Sequence, residues 1–466
     1  MVALTRIVFN RVGVLKSLVV FFSVLAGLAA SASADIIWNG KRVSEWPAEA
    51  LPEMNNQKSI LTKTTVTETG MGLYPHPSGV VKGLTMLVDF SDQPAVISLE
   101  EISDWLNKPG FNKDGCNGSV RDYYKDASNG KVDYQNQVIG YYRAKKPKSY
   151  YEGGEGYERA PELVKEVLEY FDPQVNFADY DNDGDKITEA INIVYAGVGL
   201  KWAQGLWPHA GWIGQKRDGV TISRYSMSDL PAKFDIFAFT HESGHMVFGW
   251  PDLYYFGDYC LMANLMSEKN PVIINDFFRA DQGWIPFADV DESSDGVFTS
   301  TVNAMAYRFQ NPNNNKEGFF WYNISNTGRY SVLKGSGLLL LHYDLNEKGN
   351  SSATNLRLRT VQADNKADLQ SAQWPSPGNA SNDLFRSNTT PEFSASTSNY
   401  SAWYNGSPSN LRIWGISSAQ TDMTFKLGLG TIANKPVVKP TNRNARMQQG
   451  LGGYWNLLGQ KVKPLK

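Results

Sequence analysis

The pentapeptide HESGH at residues 241–245 carries two imidazoles and a carboxylate at a spacing that suits a metal site. On a helix, His241 and His245 project from one face about a turn apart, where their ring nitrogens can bind one zinc ion. Glu242 would lie beside the metal, able to take a proton from water and pass it to a leaving amine. The chain has only five histidines, so this pair uses two of a small set. The alternative is that His241 and His245 are ordinary helix residues that bind no metal.

A catalytic zinc needs a third protein ligand and one open position. The segment WPDLY at 250–254 follows Gly249, where the chain can turn sharply back towards the metal. We expect Asp252 to be the third ligand, although a Pro-Asp pair is also typical of a simple turn. The other acids that could take this role are Asp258, Asp276 and Asp281.

Several residues are candidates for the surroundings of the metal. Met262 would give a polarisable floor beneath the histidines, with Met266 as its competitor and plain core packing as the alternative. Tyr254 and Tyr259 can present hydroxyl groups near the metal or simply pack. His209 can line the cleft and bind the tetrahedral intermediate, or it can have a structural role against Trp207.

The two remaining histidines are weaker candidates. His342 follows an apolar strand and is expected to be a satisfied core residue. His76 lies between two prolines ahead of the first strong strand, where a ligand role in latency is conceivable.

The acidic run DYDNDGD at 179–185 alternates carboxylates with other residues. Alternate oxygens can converge on a hard cation such as Ca²⁺, while Gly184 permits the sharp turn. Residue 190 is alanine where an EF-hand has its bidentate glutamate, so a full EF-hand is not expected, and Glu189 is a substitute. We predict a structural calcium site; a solvated acidic turn is the alternative. The predicted ligands are Asp179, Asp181, Asp183 and Asp185.

These residues need secondary structure to hold them. A helix is predicted at 235–247, with Asp235 as its N-cap and with Gly249 and Pro251 ending it. Apolar runs predict strands at 83–90 and 190–196, and helical spacing predicts helices after Ser119 and at 161–171. From about residue 295, short apolar runs separated by turn residues indicate sheet-rich packing.

The N-terminus has the three-part pattern of a secretory signal peptide at residues 1–34. Its apolar run, 17–28, is shorter than the roughly 20 residues that a membrane span needs, so we expect export rather than anchoring. In an oxidising compartment Cys116 and Cys260 can pair, and two lone buried thiols are the alternative.

Composition excludes several classes of protein. Two cysteines are too few for a disulfide scaffold or a cysteine-rich metal site. With 45 basic against 47 acidic residues the net charge is −2, which does not favour nucleic acid as a partner. No later segment is apolar enough to cross a bilayer, and a monomer is expected.

Taken together, the motifs resemble one family. HESGHMVFGWPDLY with CLM close behind is similar to the zinc-binding segment of the M6 metallopeptidases, the secreted bacterial immune inhibitor A-like proteases. LVDFSDQP, SVRDYYKDASNGKV, LWPHAGW, DYDNDGDKITEAINIVYAG and GSGLLLLHYDLN also resemble that family, so the resemblance covers about residues 80–430. One departure is Gly249, which lies four residues after His245 where the metzincin pattern has glycine at three.

The resemblance implies an α/β (α+β) zincin/metzincin-like catalytic domain at 81–295 with a zinc-binding helix, followed by a β-rich C-terminal portion at 296–430. It implies that His241 and His245 are zinc ligands and that Glu242 is the general base. Residues 35–80 would be a polar, irregular leader or pro-segment, and 431–466 a basic polar tail.

The function expected from motif and resemblance is a secreted zinc endopeptidase that acts on protein or peptide substrates. A secreted, calcium-stabilised binding or adhesion protein with a vestigial zinc site is the rival from another class. A zinc aminopeptidase is the narrower rival, although the sequence offers no second ligand set for a two-metal site.

Overall fold

The structure is a computed structural model. It describes residues 35–38, 41–43, 66–67, 70–263, 267–291, 293–350, 356–370, 381–429, 454–455 and 461–462. The predicted signal peptide at 1–34, much of the leader and most of the tail lie outside these residues. Within them, no helix combines the length and the apolar character that crossing a membrane requires.

The strands are β1 Asp35–Trp38, β2 Lys41–Val43, β3 Val66–Thr67, β4 Gly79–Asp89, β5 Val132–Arg143, β6 Ile191–Ala196, β7 His209–Arg217, β8 Val220–Leu230, β9 Phe287–Val290, β10 Gly296–Thr301, β11 Ala306–Asn311, β12 Asn314–Ile324, β13 Gly337–Asp344, β14 Leu358–Val361, β15 Leu411–Trp414, β16 Asp422–Leu429, β17 Tyr454–Trp455 and β18 Lys461–Val462. The α-helices are α1 Leu99–Asn107, α2 Val120–Ala127, α3 Lys148–Tyr151, α4 Ala160–Phe171, α5 Phe237–Phe248 and α6 Asp276–Asp281.

The first sheet has seven strands in the order β2-β1-β7-β8-β6-β4-β5. Its central strands are apolar on both faces because helices cover both. On β4, Met86 and Val88 face the core that includes α4, while Leu87 faces the core that includes α1, α2 and α5. This alternation is the period of two expected for a strand. The predicted strands and helices of this region are confirmed, with β4 starting at Gly79 rather than at residue 83.

The second sheet, β14-β13-β12-β11-β9-β3, covers the other side of the helical layer. On β12, Phe320 and Tyr322 pack towards the helices, while Phe319 and Trp321 pack towards the small third sheet, β10-β16-β15. The chain therefore has a mixed α+β architecture in which sheets predominate. The second sheet already includes β9, ahead of the boundary expected at 295–296, because β9 pairs in parallel with β11.

The leader is not wholly irregular, contrary to expectation. β1 pairs in parallel with the start of β7, and the side chain of Ile37 is buried in the core beneath the first sheet. β3 pairs antiparallel with β9 of the second sheet. The composition of 35–80 is polar, but backbone pairing with an existing sheet edge needs little help from side chains, which is why composition alone missed these strands.

Candidate metal centre

Helix α5 places both motif histidines in the interior. The helix begins at Phe237 and its N-cap is Ile236, so the predicted N-cap, Asp235, is wrong by one position. Asp235 still helps the first turn, because its Oδ1 accepts a hydrogen bond from the Phe237 N–H at 3.2 Å. Gly249 ends the helix as predicted, with φ at 71° in the left-handed region that glycine adopts easily. The chain then turns back along the helix.

Three side-chain atoms from α5 and the returning loop form a tight triangle. His241 Nε2 lies 3.0 Å from His245 Nε2. Asp252 Oδ1 lies 3.3 Å from His241 Nε2 and 3.4 Å from His245 Nε2. All three side chains are buried. The structure thus brings together the three residues that the sequence predicted as metal ligands.

The second nitrogen of each imidazole decides which atom faces the triangle. His241 Nδ1 lies 3.0 Å from the Leu261 carbonyl oxygen, and His245 Nδ1 lies 2.6 Å from that of Trp250. A carbonyl oxygen only accepts, so each Nδ1 carries a proton, and a ring in its neutral form presents the Nε2 lone pair. With both rings neutral, three acceptors converge, and none of them can donate a hydrogen bond to another.

A zinc ion fits this donor set. With ligand bonds of 2.0–2.1 Å, the ligand atoms of a tetrahedral zinc site are about 3.3 Å apart. The observed separations of 3.0–3.4 Å surround that value. Hydrogen bonds from the outer ring nitrogens to backbone carbonyls are the support that zinc-binding histidines usually have. Three protein ligands would leave a fourth position for water or substrate.

Electrostatics favour the protonation states that bind metal. Burial lowers the pKa of His241, which keeps its imidazole neutral. Burial acts in the opposite sense on Asp252, but the charge and hydrogen bonds that the imidazoles of His245 and His241 supply when protonated hold its pKa well below the usual range. A carboxylate that stays ionised can coordinate a cation without first losing a proton.

Glu242 and Met262 complete the immediate surroundings. The Glu242 side chain is fully buried on the helix turn that carries His241. Met262 lies against Gly244, because a Cβ built on that glycine would be 2.9 Å from the Met262 sulfur and 3.1 Å from the Trp250 ring. The thioether therefore packs directly beside the helix between the two histidines. Its predicted competitor, Met266, lies outside the described residues.

His209 does not line the cleft. It is fully buried at the start of β7, with Nδ1 2.7 Å from the Trp207 carbonyl and Nε2 3.0 Å from the Tyr225 hydroxyl. Burial lowers the pKa of His209 to about 4. The structural alternative, in which His209 packs beside Trp207, is the one that the structure supports. The spacing of Trp207 and His209 in the sequence could not distinguish the cleft role of His209 from its structural role.

The other candidates are not part of the triangle. The Tyr259 hydroxyl donates to Asp383 at 3.0 Å, and Tyr254 is partly exposed. Asp258 is buried, but the metal-ligand group of the described residues takes Asp252 instead. The last two alternative ligands are held elsewhere, Asp276 by Arg279 at 2.6 Å and Asp281 by the Leu73 N–H at 2.8 Å.

The two remaining histidines, His76 and His342, contact residues outside the triangle. His76 lies 3.4 Å from Asp281, which is not a member of the triangle. His342 is confirmed as a satisfied core residue: its Nε2 lies 3.0 Å from Glu317, and its ring stacks on Tyr404 with centroids 4.0 Å apart.

The acidic loop forms a second cluster, which differs by one residue from the prediction. Asp181, Asp183, Asp185 and Glu189 can place their oxygens around one point. Asp179 is not part of this set and instead accepts a hydrogen bond from Asn176 at 3.1 Å. Asp179 lies within a 3₁₀ turn, Phe177–Tyr180, while Glu189 reaches the loop from just ahead of β6.

The acidic loop is also hydrogen-bonded to itself. Backbone N–H groups of Gly184 and Lys186 donate to Asp181 at 2.8 and 3.0 Å, and that of Asn182 donates to Glu189 at 2.6 Å. Burial raises the pKa of Glu189 to about 7. A cavity of about 470 Å³ adjoins the loop, bounded by residues 72–78 and by Arg224.

Both cysteines are free and buried, so the expectation of lone thiols holds. The Cys116 thiol donates to the Phe234 carbonyl at 3.4 Å. The Cys260 sulfur accepts from the Met262 N–H and from Asn275, each at 3.4 Å. Burial raises the pKa of Cys116 to about 11 and that of Cys260 to about 12.

Comparison of the chain with protein-family models and with curated proteins gave no match. The candidate metal centre therefore rests on its own geometry.

Proposed function

We propose that this chain is a secreted zinc endopeptidase of the M6 type, with a zincin-like catalytic half. The observation that supports this most is the triangle of His241, His245 and Asp252, in which three acceptor atoms converge 3.0–3.4 Å apart. A divalent cation at the centre would turn the mutual repulsion of these lone pairs into coordination. The adjoining glutamate makes a catalytic use of that cation more plausible than a structural one.

The ligands and Glu242 have separate tasks in this proposal. Zinc held by the triangle would supply Lewis acidity towards the scissile carbonyl and would make water more acidic. Glu242 takes the proton from the attacking water and delivers it to the departing amine. Glu242 follows His241 directly in α5 and is not a member of the ligand group. Leu261 and Trp250 hold the imidazoles in the required tautomer.

The test is Glu242→Gln, which preserves shape and removes the base. We expect normal zinc content and normal folding, with casein cleavage reduced by about 10²- to 10⁴-fold, the range that a general base contributes. Glu100→Gln, an exposed acid in the first turn of α1, is the matched control and should cleave like the wild type. Undiminished cleavage by the Glu242 variant would exclude this mechanism.

The two rivals predict other results. A binding or adhesion protein with a vestigial zinc site would show no chelator-sensitive peptidase activity in the wild type. An aminopeptidase would cleave peptides with a free amino terminus and leave N-terminally blocked peptides intact, whereas an endopeptidase cleaves both. We favour the endopeptidase because the described residues place only one histidine-containing ligand group around α5.

We also propose that the acidic loop binds calcium in a structural role. Oxygen atoms from Asp181, Asp183, Asp185 and Glu189 form a hard ligand set. The loop leads into β6, so a bound ion would stiffen the scaffold rather than take part in the chemistry.

A further inference from the structure

The loop that carries Asp252 is held from two sides. We call residues 250–262 the ligand loop. On the side of α5, the imidazoles donate to its Trp250 and Leu261 carbonyls, and its two ends are tied by the Leu253 N–H donating to the Met262 carbonyl at 2.6 Å. These contacts lie within the catalytic half, and the HESGH motif together with the glycine turn accounts for them.

The other side of the ligand loop is held by the β-rich half of the chain. The Thr360 hydroxyl donates to the Phe256 carbonyl at 2.7 Å, and the Gln370 amide donates to the Tyr255 carbonyl at 3.2 Å. The Asn350 N–H donates to the carbonyl of Asp252 itself at 3.2 Å. Thr360, Gln370 and Asn350 are all buried, which makes each of these hydrogen bonds costly to lose.

The strand that supplies Thr360 is well placed for this role. β14 is the terminal strand in the order of the second sheet and pairs with β13 on one side only. Its backbone is bonded instead by Asn350, whose side chain bonds Leu358 at 2.7 and 3.1 Å, and by Gln370, whose amide donates to the Thr360 carbonyl at 3.4 Å. Asn350 and Gln370 are the two residues that also bond the ligand loop. Tyr255 adopts a φ of 66°, which is uncommon for a bulky side chain, and Gln370 binds the carbonyl of that residue. A loop in this conformation depends on its surroundings to keep its shape.

We propose that the β-rich half positions the third zinc ligand, with Thr360 of β14 as a positioning residue for Asp252. This inference rests on the zinc site of the proposed function and goes beyond it. The β-rich half would then be a component of the metal centre rather than an accessory to it. Zinc affinity would depend on a hydroxyl in a part of the chain that contributes no ligand.

The experiment compares Thr360→Val, which removes the hydroxyl at constant volume, with Thr360→Ser, which keeps it. Thr390→Val is the matched control, because the Thr390 hydroxyl also donates to a backbone carbonyl in the β-rich half, that of Ala363 at 3.0 Å, away from the ligand loop. The full chain is used. The zinc dissociation constant is measured by chelator competition, and the visible absorption of the Co²⁺-substituted protein reports the ligand geometry.

We expect Thr360→Val to weaken zinc binding by about threefold to tenfold, the effect of one lost hydrogen bond, and to change the Co²⁺ spectrum. Thr360→Ser should restore both, and Thr390→Val should alter neither even if it lowers the melting temperature of the metal-free protein equally. If Thr360→Val does not fold, Gln370→Met takes its place with the same expected changes.

Two results would overturn the inference. Unchanged zinc affinity and spectrum in Thr360→Val would contradict it while leaving the zinc site intact, and so would an equal loss in Thr390→Val. A wild-type chain that binds no zinc would contradict the proposed function as well, so the two failures are distinguishable.

Discussion

The two candidate metal sites differ in whether their ligand atoms already have donors. In the acidic loop, backbone N–H groups of the same loop donate to the carboxylates, so the loop keeps its shape by itself. In the triangle, the inner atoms of His241, His245 and Asp252 all accept when the two rings are neutral, and none can then satisfy another. The difference teaches that clustering of ligand types is a weak signal, whereas convergence of acceptors in a buried place is a strong one.

The surroundings of His209 provide a comparison for the histidines of the triangle within the same protein. His209 is as buried as His245, and it has the same outer contact, Nδ1 to a backbone carbonyl. Its Nε2, however, meets the hydroxyl of Tyr225, which can donate. His209 and His245 thus share the same kind of contact at Nδ1 but differ in the atom that faces Nε2. That difference separates the proposed metal ligand, His245, from the core histidine, His209.

The largest expected effect comes from breaking the triangle. His245→Ala should weaken zinc binding by more than about 100-fold, because loss of even an outer partner of a ligand typically costs 10- to 100-fold. His209→Gln should keep stoichiometric zinc. Metal analysis after dialysis measures both. Equal zinc loss in the two variants would mean that burial, and not the convergence of acceptors, governs metal binding.

A smaller effect should appear in acid. The pKa of His209 is about 4 in the folded protein and near 6.5 when unfolded, so the neutral form is favoured by folding. A depressed pKa contributes stability that is present above pH 6.5 and is lost as the pH falls towards 4. The loss amounts to about 3 kcal/mol at 1.36 kcal/mol per pKa unit. Denaturant unfolding at pH 7 and pH 4 measures it.

The variant His209→Gln is the control for this pH dependence. It cannot be protonated, so its free energy of unfolding should fall by about 3 kcal/mol less than that of the wild type over the same pH range. Parallel pH curves for the two proteins would show that folding does not lower the pKa of His209.

The smallest effect should come from the acidic loop. Calcium at ten times its dissociation constant should raise the free energy of unfolding by about 1.4 kcal/mol, and a calcium-selective chelator should reverse this without removing zinc. Asp183→Asn should reduce the gain, and Asp179→Asn, outside the cluster, should not. A gain that is equal in both variants and the wild type would place the calcium elsewhere.

Local sequence signals predicted α5, its end at Gly249 and the pair of histidines, because each depends on neighbours within a few residues. Asp252 was also predicted, since the turn brings it back to the helix it follows. What the sequence could not show depends on distant partners. His209, for example, meets Tyr225 only through the pairing of β7 with β8, whereas Glu189, which the sequence offered as a substitute, takes the place of Asp179 in the acidic cluster.

The same limit explains the corrections to the overall organisation. β1 and β3 are short strands, and each extends a sheet by pairing with a strand far along the chain, which no local sequence pattern encodes. The start of the second sheet at β9 was missed for a similar reason. Phe287–Val290 is a short run whose partner, β11, lies beyond β10 in the chain.

The labelling rates of the two buried thiols can report how often different parts of the protein open. An alkylating reagent attacks the thiolate, and burial with a raised pKa protects Cys116 and Cys260 from it in the closed protein. Cys260 belongs to the ligand loop, whereas Cys116 packs against Phe234, ahead of α5. Opening of the ligand loop alone allows labelling of Cys260, whereas opening of the whole interior allows labelling of both thiols. The ratio of the two labelling rates therefore compares these two kinds of opening.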